Sequence, residues 1–258
     1  MNLLVDAWGW LIDPQHWVGD SSIPLRLAEH IAVSFAAIVI ASVVAIPLGI
    51  LIGHTKRGGS VIGAMTGAAR ALPTLGLLTL VGLWLGIGVG APLVALVVLA
   101  IPSVLAGAYS GVESVDHSTV QAAQAMGFTP LQVVARVEIP LASPLIIGGL
   151  RNATVQVIAT TTLAAYTANL GLGRYLFAGL KTRDYSQMLA GSLLVTALAI
   201  IAEIVFSQLQ RLGERRAHPR TPTKDLSRGH SIDEDAPAIT DHMQAETQPP
   251  RAGTPTPA

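Results

Sequence analysis

Between His30 and Gly53 the chain carries no Asp, Glu, Lys or Arg, and from Ile31 it runs IAVSFAAIVIASVVAIPLGILIG. A helix of that length crosses roughly 30 Å of hydrocarbon at about 1.5 Å per residue, and so apolar a stretch needs lipid or a very large core around it. The whole chain is 51% hydrophobic and 12% charged, where a soluble domain carries about 25% charged residues. Within the run Ala37, Ala41, Ala45, Gly49 and Gly53 recur every fourth residue. That lines one side with small residues, against which a neighbouring helix can approach closely.

Further apolar segments follow. After the polar break HTKRGGS, Val61 to Gly88 is apolar except for Arg70, and Pro73 punctuates it. It reads as one long helix or as two pieces broken near Pro73. Pro92 to Tyr109 is a third span with Pro102 inside it, a placement that membrane helices tolerate because neighbours satisfy the freed backbone groups. Gly111 to Glu138 is too polar to cross and reads as a pair of short helices outside the membrane, the second starting at Thr129-Pro130. A fourth span runs from Pro140 to Thr167. A loop with Arg174, Lys181, Arg183 and Asp184 leads to a fifth, about Ser186 to Leu209. The expected fold class is therefore an all-α membrane protein with about five core transmembrane helices.

The flanks differ from this core. Residues 1–23 carry Trp8, Trp10 and Trp17, a composition suited to the outer membrane interface. They carry Asp6, Asp13 and Asp20 and no Lys or Arg before Arg26, so the basic start of a cleavable signal peptide is missing. Residues 24–210 form the membrane domain. Residues 211–258, without Phe, Tyr or Trp and rich in Pro, Thr, Asp and Arg, cannot bury enough apolar area to fold and read as a disordered cytoplasmic tail. An outward amino terminus puts Lys56, Arg57, Arg136, Arg211, Arg215 and Arg216 inside, against Arg26, Arg174, Lys181 and Arg183 outside. That bias favours N-out, five crossings and C-in.

Enzyme signatures are missing. No P-loop ends in Gly-Lys-Ser/Thr, no HExxH or Gly-x-Ser-x-Gly occurs, and there is no cysteine. The seven histidines are scattered, and the net charge of zero gives no reason to expect nucleic-acid binding. No cofactor is expected. Polar residues inside spans default to function. Asn152 and Gln156 share a helix face beside Arg151, and either line a pathway or hydrogen-bond another helix, with Arg151 alternatively snorkelling to the interface. Pro73 marks the other candidate pathway position, and Arg70 near it carries the same alternatives as Arg151. Glu203 shares a face with Ser192, Thr196 and Ser207 and reads as packed against a partner helix or the interface.

The most informative stretch is Val120-Gln-Ala-Ala-Gln-Ala-Met-Gly-Phe-Thr-Pro, followed by Val137-Glu-Ile-Pro140. Small Ala122 and Ala123 permit close helix contact, Gly127 permits a sharp turn, and Pro140 starts the next span. A short helix held between two spans is a lever that passes a push from outside into the membrane.

These residues resemble the coupling motif of permease subunits of binding-protein-dependent ABC importers: Glu-Ala-Ala, three residues, Gly, nine residues, Ile-x-Leu-Pro. Ala122, Ala123 and Gly127 match, and Val137, Ile139 and Pro140 fall at the required spacing, while Gln121 stands where the family usually has Glu. ARALPTLGLL and GLRNATVQVIATTTLAAYTANLGLGRYL look like the osmoprotectant branch, which imports glycine betaine, carnitine, choline or proline. The resemblance, over about residues 24 to 208, implies a type I importer permease fold in a bacterial cell membrane. It implies a second permease subunit, two cytoplasmic ATPase subunits docking the Gln121–Gly127 segment, and an extracytoplasmic solute-binding protein. A transport subunit without catalytic activity of its own is expected.

Overall fold

The computed structural model describes residues 2–217, and within them every regular element is helical. The first span, α2 (Ile23–Thr55), follows a short helix α1 (Leu3–Ile12) and a 3₁₀ turn, Pro14–Trp17. Then come α3 (Gly59–Ala71), α4 (Thr74–Leu85), α5 (Gly90–Glu113), α6 (His117–Ala125) and α7 (Pro130–Val133). A π turn, Val134–Glu138, joins α7 to α8 (Ile139–Thr161), and a 3₁₀ turn, Thr162–Tyr166, precedes α9 (Gly173–Thr182) and α10 (Tyr185–Ala217).

Four helical runs are long and apolar enough to cross a membrane: α2, α5, α7 to α8 with its flanking turns, and α10. The pair α3 and α4, bent by 89° at their break, is apolar enough to form together a broken fifth span or a re-entrant loop. Pro73 is the first residue outside α4, with φ −70° and ψ 110°. Its ring and missing N–H end the helical ladder there.

The stripe of small residues is the seam of the bundle. Ala37, Ala41, Ala45, Gly49 and Gly53 are all buried, and α2 packs most extensively against α5. A Cβ on Gly49 would stand 2.6 Å from Ala108 Cβ, and one on Gly53 2.8 Å from Val112 Cβ. The backbones therefore meet at a distance that only hydrogen side chains allow. A similar crossing joins α5 to α8, where a Cβ on Gly107 would lie 2.6 Å from Gly149 Cα. Outward from these seams, Phe35, Val43, Leu51, Leu83, Trp84 and Ile201 are exposed. Such a surface suits hydrocarbon, not water.

At one end of the bundle the chain is knitted together by polar contacts. Arg26 is buried and donates through Nη1 to Glu29 Oε2 at 3.0 Å and to the Asn169 carbonyl at 2.7 Å. Glu29 accepts the Gly171 N–H at 2.8 Å. At the end of α8, where the chain tightens to a 3₁₀ turn, His30 Nε2 donates to the Ile158 carbonyl at 3.0 Å, meeting a backbone group of the helix terminus. The same end holds α1: Trp10 lies edge-on to Tyr175 at 5.1 Å, and Trp10 and Leu11 pack on Ile23, Leu172 and Val195.

Several expectations need correction. The second of the two short helices is not separate, because α7 continues through the π turn into α8 as one run, Pro130–Tyr166. No glycine falls at the join between α7 and α8, and the widened turn accommodates the hydrogen bond that Pro140 cannot donate. The loop at Arg174 to Asp184 contains a helix, α9, whose Tyr175 and Gly179 are buried while Leu180 and Lys181 face out. Its amphipathic pattern supplies the signal for helix. The third span begins at Gly90 and runs to Glu113. The helix of the last span continues past Leu209 to Ala217. The expectation for the tail after Ala217 lies outside the described residues.

Candidate coupling segment and translocation cleft

The end of the bundle opposite Arg26 carries α6 and α7. Asp116 caps α6, its carboxylate accepting the Ser118 N–H at 2.9 Å. This bond holds the Asp116 pKa below its ordinary value. Gln121, Ala122 and Ala123 lie within α6, with Ala123 buried and Gln121 and Ala122 exposed.

The helix stops by a double backbone bond: Gly127 N–H to the Gln124 carbonyl at 2.9 Å, and Phe128 N–H to the Ala123 carbonyl at 3.2 Å. That pairing is the Schellman arrangement, whose C′ residue must be left-handed. Gly127 supplies φ +87°, and no other atom lies near where its Cβ would be. The demand on this glycine is conformational, not steric. Two residues on, Thr129 opens α7 with a capping box, its N–H donating to Gln132 Oε1 at 2.9 Å.

Val137 belongs to the π turn, and Ile139 and Pro140 open α8. Pro144 offers no N–H to the Pro140 carbonyl, which accepts Ser143 Oγ at 2.8 Å instead. Beside Gln121 and Ala122 stand two apolar side chains that sequence reasoning did not single out, Met126 (71% exposed) and Leu131 (77% exposed). The turn at Gly127 lies between them. Their place in a polar segment outside the spans was the available signal.

Within the bundle, α3, α5, α8 and α10 enclose a cleft of about 580 Å³. Arg151, Asn152 and Gln156 line it from α8, Ser103 and Ser110 from α5, Thr66 from α3 and Gln210 from α10. Ser103 Oγ donates to Gln156 Oε1 at 3.3 Å. Arg151 reaches across to α10, donating to Gln210 Oε1 at 3.2 Å and to the Glu203 carboxylate. Glu203 thus forms an ion pair with Arg151, which accounts for two charges within the spans. Pro73 does not line the cleft; it sits at the α3–α4 break. The Arg70 position falls in α3 near that break. Among the described residues no three His, Asp or Glu side chains converge to hold a metal ion.

Apolar crossings around a polar cleft, with a short helical segment held at one end, define the transmembrane component of a transporter. Residues 45–219 match the family described as binding-protein-dependent transport system inner membrane component. The chain belongs to this family: it is a permease subunit of an ABC importer, a multi-pass, non-catalytic membrane component of a system that works with an ATPase and a binding protein.

It is 33% identical over 183 residues to the choline transport system permease protein OpuBB of Bacillus subtilis (strain 168), covering 71% of this chain and 84% of that one. It is 32% identical to the glycine betaine/carnitine/choline transport system permease protein OpuCB of the same organism, over 72% of this chain and 86% of that one. The fold is similar to solved structures of the MetNI methionine ABC transporter in inward-facing conformations, with a TM-score of 0.62 and 22% identity over 72% of this chain and 93% of that chain.

Proposed function

We propose that this permease imports small osmoprotectants of the glycine betaine, carnitine, choline or proline class, and that α6 with the following turn is where the ATPase docks. The substrate reading is carried by the similarity to choline and glycine betaine/carnitine/choline permeases over more than two thirds of the chain. The docking reading is supported by the form of the segment. A Schellman-terminated short helix presents Gln121 and Ala122 outward, with the apolar Met126 and Leu131 exposed on either side of its turn, and the α7 that follows is continuous with the α8 span. A cleft on a cytoplasmic ATPase receives this segment, and closure of the ATPase pair swings the spans between inward-facing and outward-facing states.

In this reading the α6 end is cytoplasmic and the amino terminus is outside. Lys56, Arg57, Arg136, Arg211 and Arg215 flank the spans at the α6 end. At the other end Arg26 is buried and paired with Glu29, which leaves Arg174, Lys181 and Arg183 as the flanking cations there. The excess of Lys and Arg at the α6 end follows the positive-inside bias. Two permease subunits, identical or homologous, face their clefts together to form the pathway, with Arg151, Asn152 and Gln156 on its wall and Pro73 at the bend beside it. An extracytoplasmic binding protein delivers the solute and sets most of the selectivity, by aromatic contact with a quaternary ammonium. No Phe, Tyr or Trp lines the cleft.

The test is uptake of radiolabelled glycine betaine by cells lacking the gene, at high and low osmolarity, with choline, carnitine and proline as competitors. Loss of osmotically stimulated uptake, restored by the native gene, is expected. Unchanged uptake of all four solutes, in cells without a redundant system, refutes the substrate assignment.

A further inference from the structure

The coupling segment is joined covalently to the bundle at both ends, to α5 through residues 114–116 and to α8 through the π turn. A side-chain bond adds a third attachment: Glu138, the last residue of that turn, accepts from His54 Nδ1 at 2.9 Å on Oε1 and 2.8 Å on Oε2. His54 lies in the last turn of α2, 84 residues away. A carboxylate has no proton to give, so Nδ1 carries the hydrogen and shares it between both oxygens. Among the described residues, Ser114 Oγ bonds back to the Gly111 carbonyl of α5 at 2.8 Å, and His54–Glu138 is the only side-chain hydrogen bond that ties the stretch Ser114–Glu138 to α2.

Its setting is unusual for a bond that serves stability alone. Glu138 is 4% exposed, and burying a carboxylate costs several kcal/mol, roughly, that an ion pair seldom returns in full. A π turn interrupts the helix at the same residues, a feature found disproportionately at functional positions. Beyond His54, α2 runs back into the bundle along the glycine and alanine seam with α5, where close backbone contact leaves little room for independent movement.

We propose that His54 and Glu138 form a mechanical link that makes α2 follow the coupling segment, so that a push on α6 moves α2 together with α5 and α8, to which the segment is covalently joined. Both are positioning residues, acting on the cleft through the helices they join. The inference rests on the reading of α6 as the ATPase-docking segment.

Two measurements on the permease assembled with its ATPase and binding protein test it. The first is glycine betaine uptake per ATP hydrolysed in liposomes, for the native protein, Glu138→Gln, His54→Leu and the double variant His54→Gln/Glu138→Gln. With the link broken, ATP hydrolysis stays within about twofold of native, while uptake per ATP falls about fivefold or more, the lower range of measured inter-site couplings. The double variant, which can restore a neutral amide bond, recovers part of the ratio. Equal losses of hydrolysis and uptake, or an unchanged ratio, overturn the proposal by making the pair structural or idle.

The second measurement needs no transported solute. The chain has no cysteine, so spin labels on cysteines introduced at exposed Lys56 and Gln124 report one distance between the α2 end and α6. In the otherwise native protein that distance stays constant when ATP and vanadate are added, and in Glu138→Gln it shifts. A shift in the native background, or none in Glu138→Gln, overturns the link. Gly127→Arg separates the two readings: if it leaves ATPase binding and coupling intact, the docking assignment itself fails. If it uncouples while Glu138→Gln does not, the link alone fails.

Discussion

Gly127 shows how much a single backbone angle can decide. Nothing crowds its Cβ position, yet its φ of +87° is a region where an L side chain costs about 1–2 kcal/mol. Gly127→Ala should therefore weaken the end of α6, and Gly127→Asn, whose side chain tolerates the left-handed region, should retain more function. Uptake at matched membrane levels of the two variants checks this ordering; equal activity of both would mean that the Schellman turn does not matter to coupling. The need for a turn at Gly127 was legible in the sequence because glycine is the residue such turns use. His54–Glu138 was not, since nothing in the spacing of residues 84 positions apart says that they meet. Arg151 and Glu203 were each singled out as polar residues within spans, and their pairing emerged only once α8 and α10 were packed together.

At the scale of elements, hydropathy located the crossings, and the stripe of small residues at every fourth position of α2 marked its packing face. The partner of that stripe could not be read, because the small residues of α5 that receive it, Ala108 and its neighbours, follow no comparably clean period. The seam makes a quantitative prediction. Gly49→Leu places a side chain where even a Cβ would lie 2.6 Å from Ala108, and overpacking of this kind costs about 1–3 kcal/mol, occasionally more. Reduced thermal stability of the detergent-solubilised protein is expected, whereas Gly63→Leu on α3, where a Cβ meets nothing within 4 Å, should leave it near native. Two elements escaped sequence reading for a common reason. The cations of α9 and the polar residues at the join between α7 and α8 make both resemble loops by composition; in α9 the amphipathic pattern was the overlooked signal, whereas the continuity of α7 with α8 follows from packing that local composition does not encode.

For the molecule as a whole, the testable claim is its orientation. A single cysteine at Thr182, the last residue of α9, should react with a membrane-impermeant maleimide added to intact spheroplasts, and one at Gln124 only after permeabilisation; the reverse pattern would invert the proposed topology. The arrangement of the ends has another consequence. Trp10 and Leu11 of the first helix pack on a cluster completed by Val195, Leu194 and Leu198 of the last, and α1 makes broad contact with α10. A ribosome releases the first of these partners long before it has made the second. Until α10 has emerged and inserted, the amino-terminal helix has no finished binding site, and the burial of Trp10 becomes a late event in biogenesis that registers whether the final span has arrived.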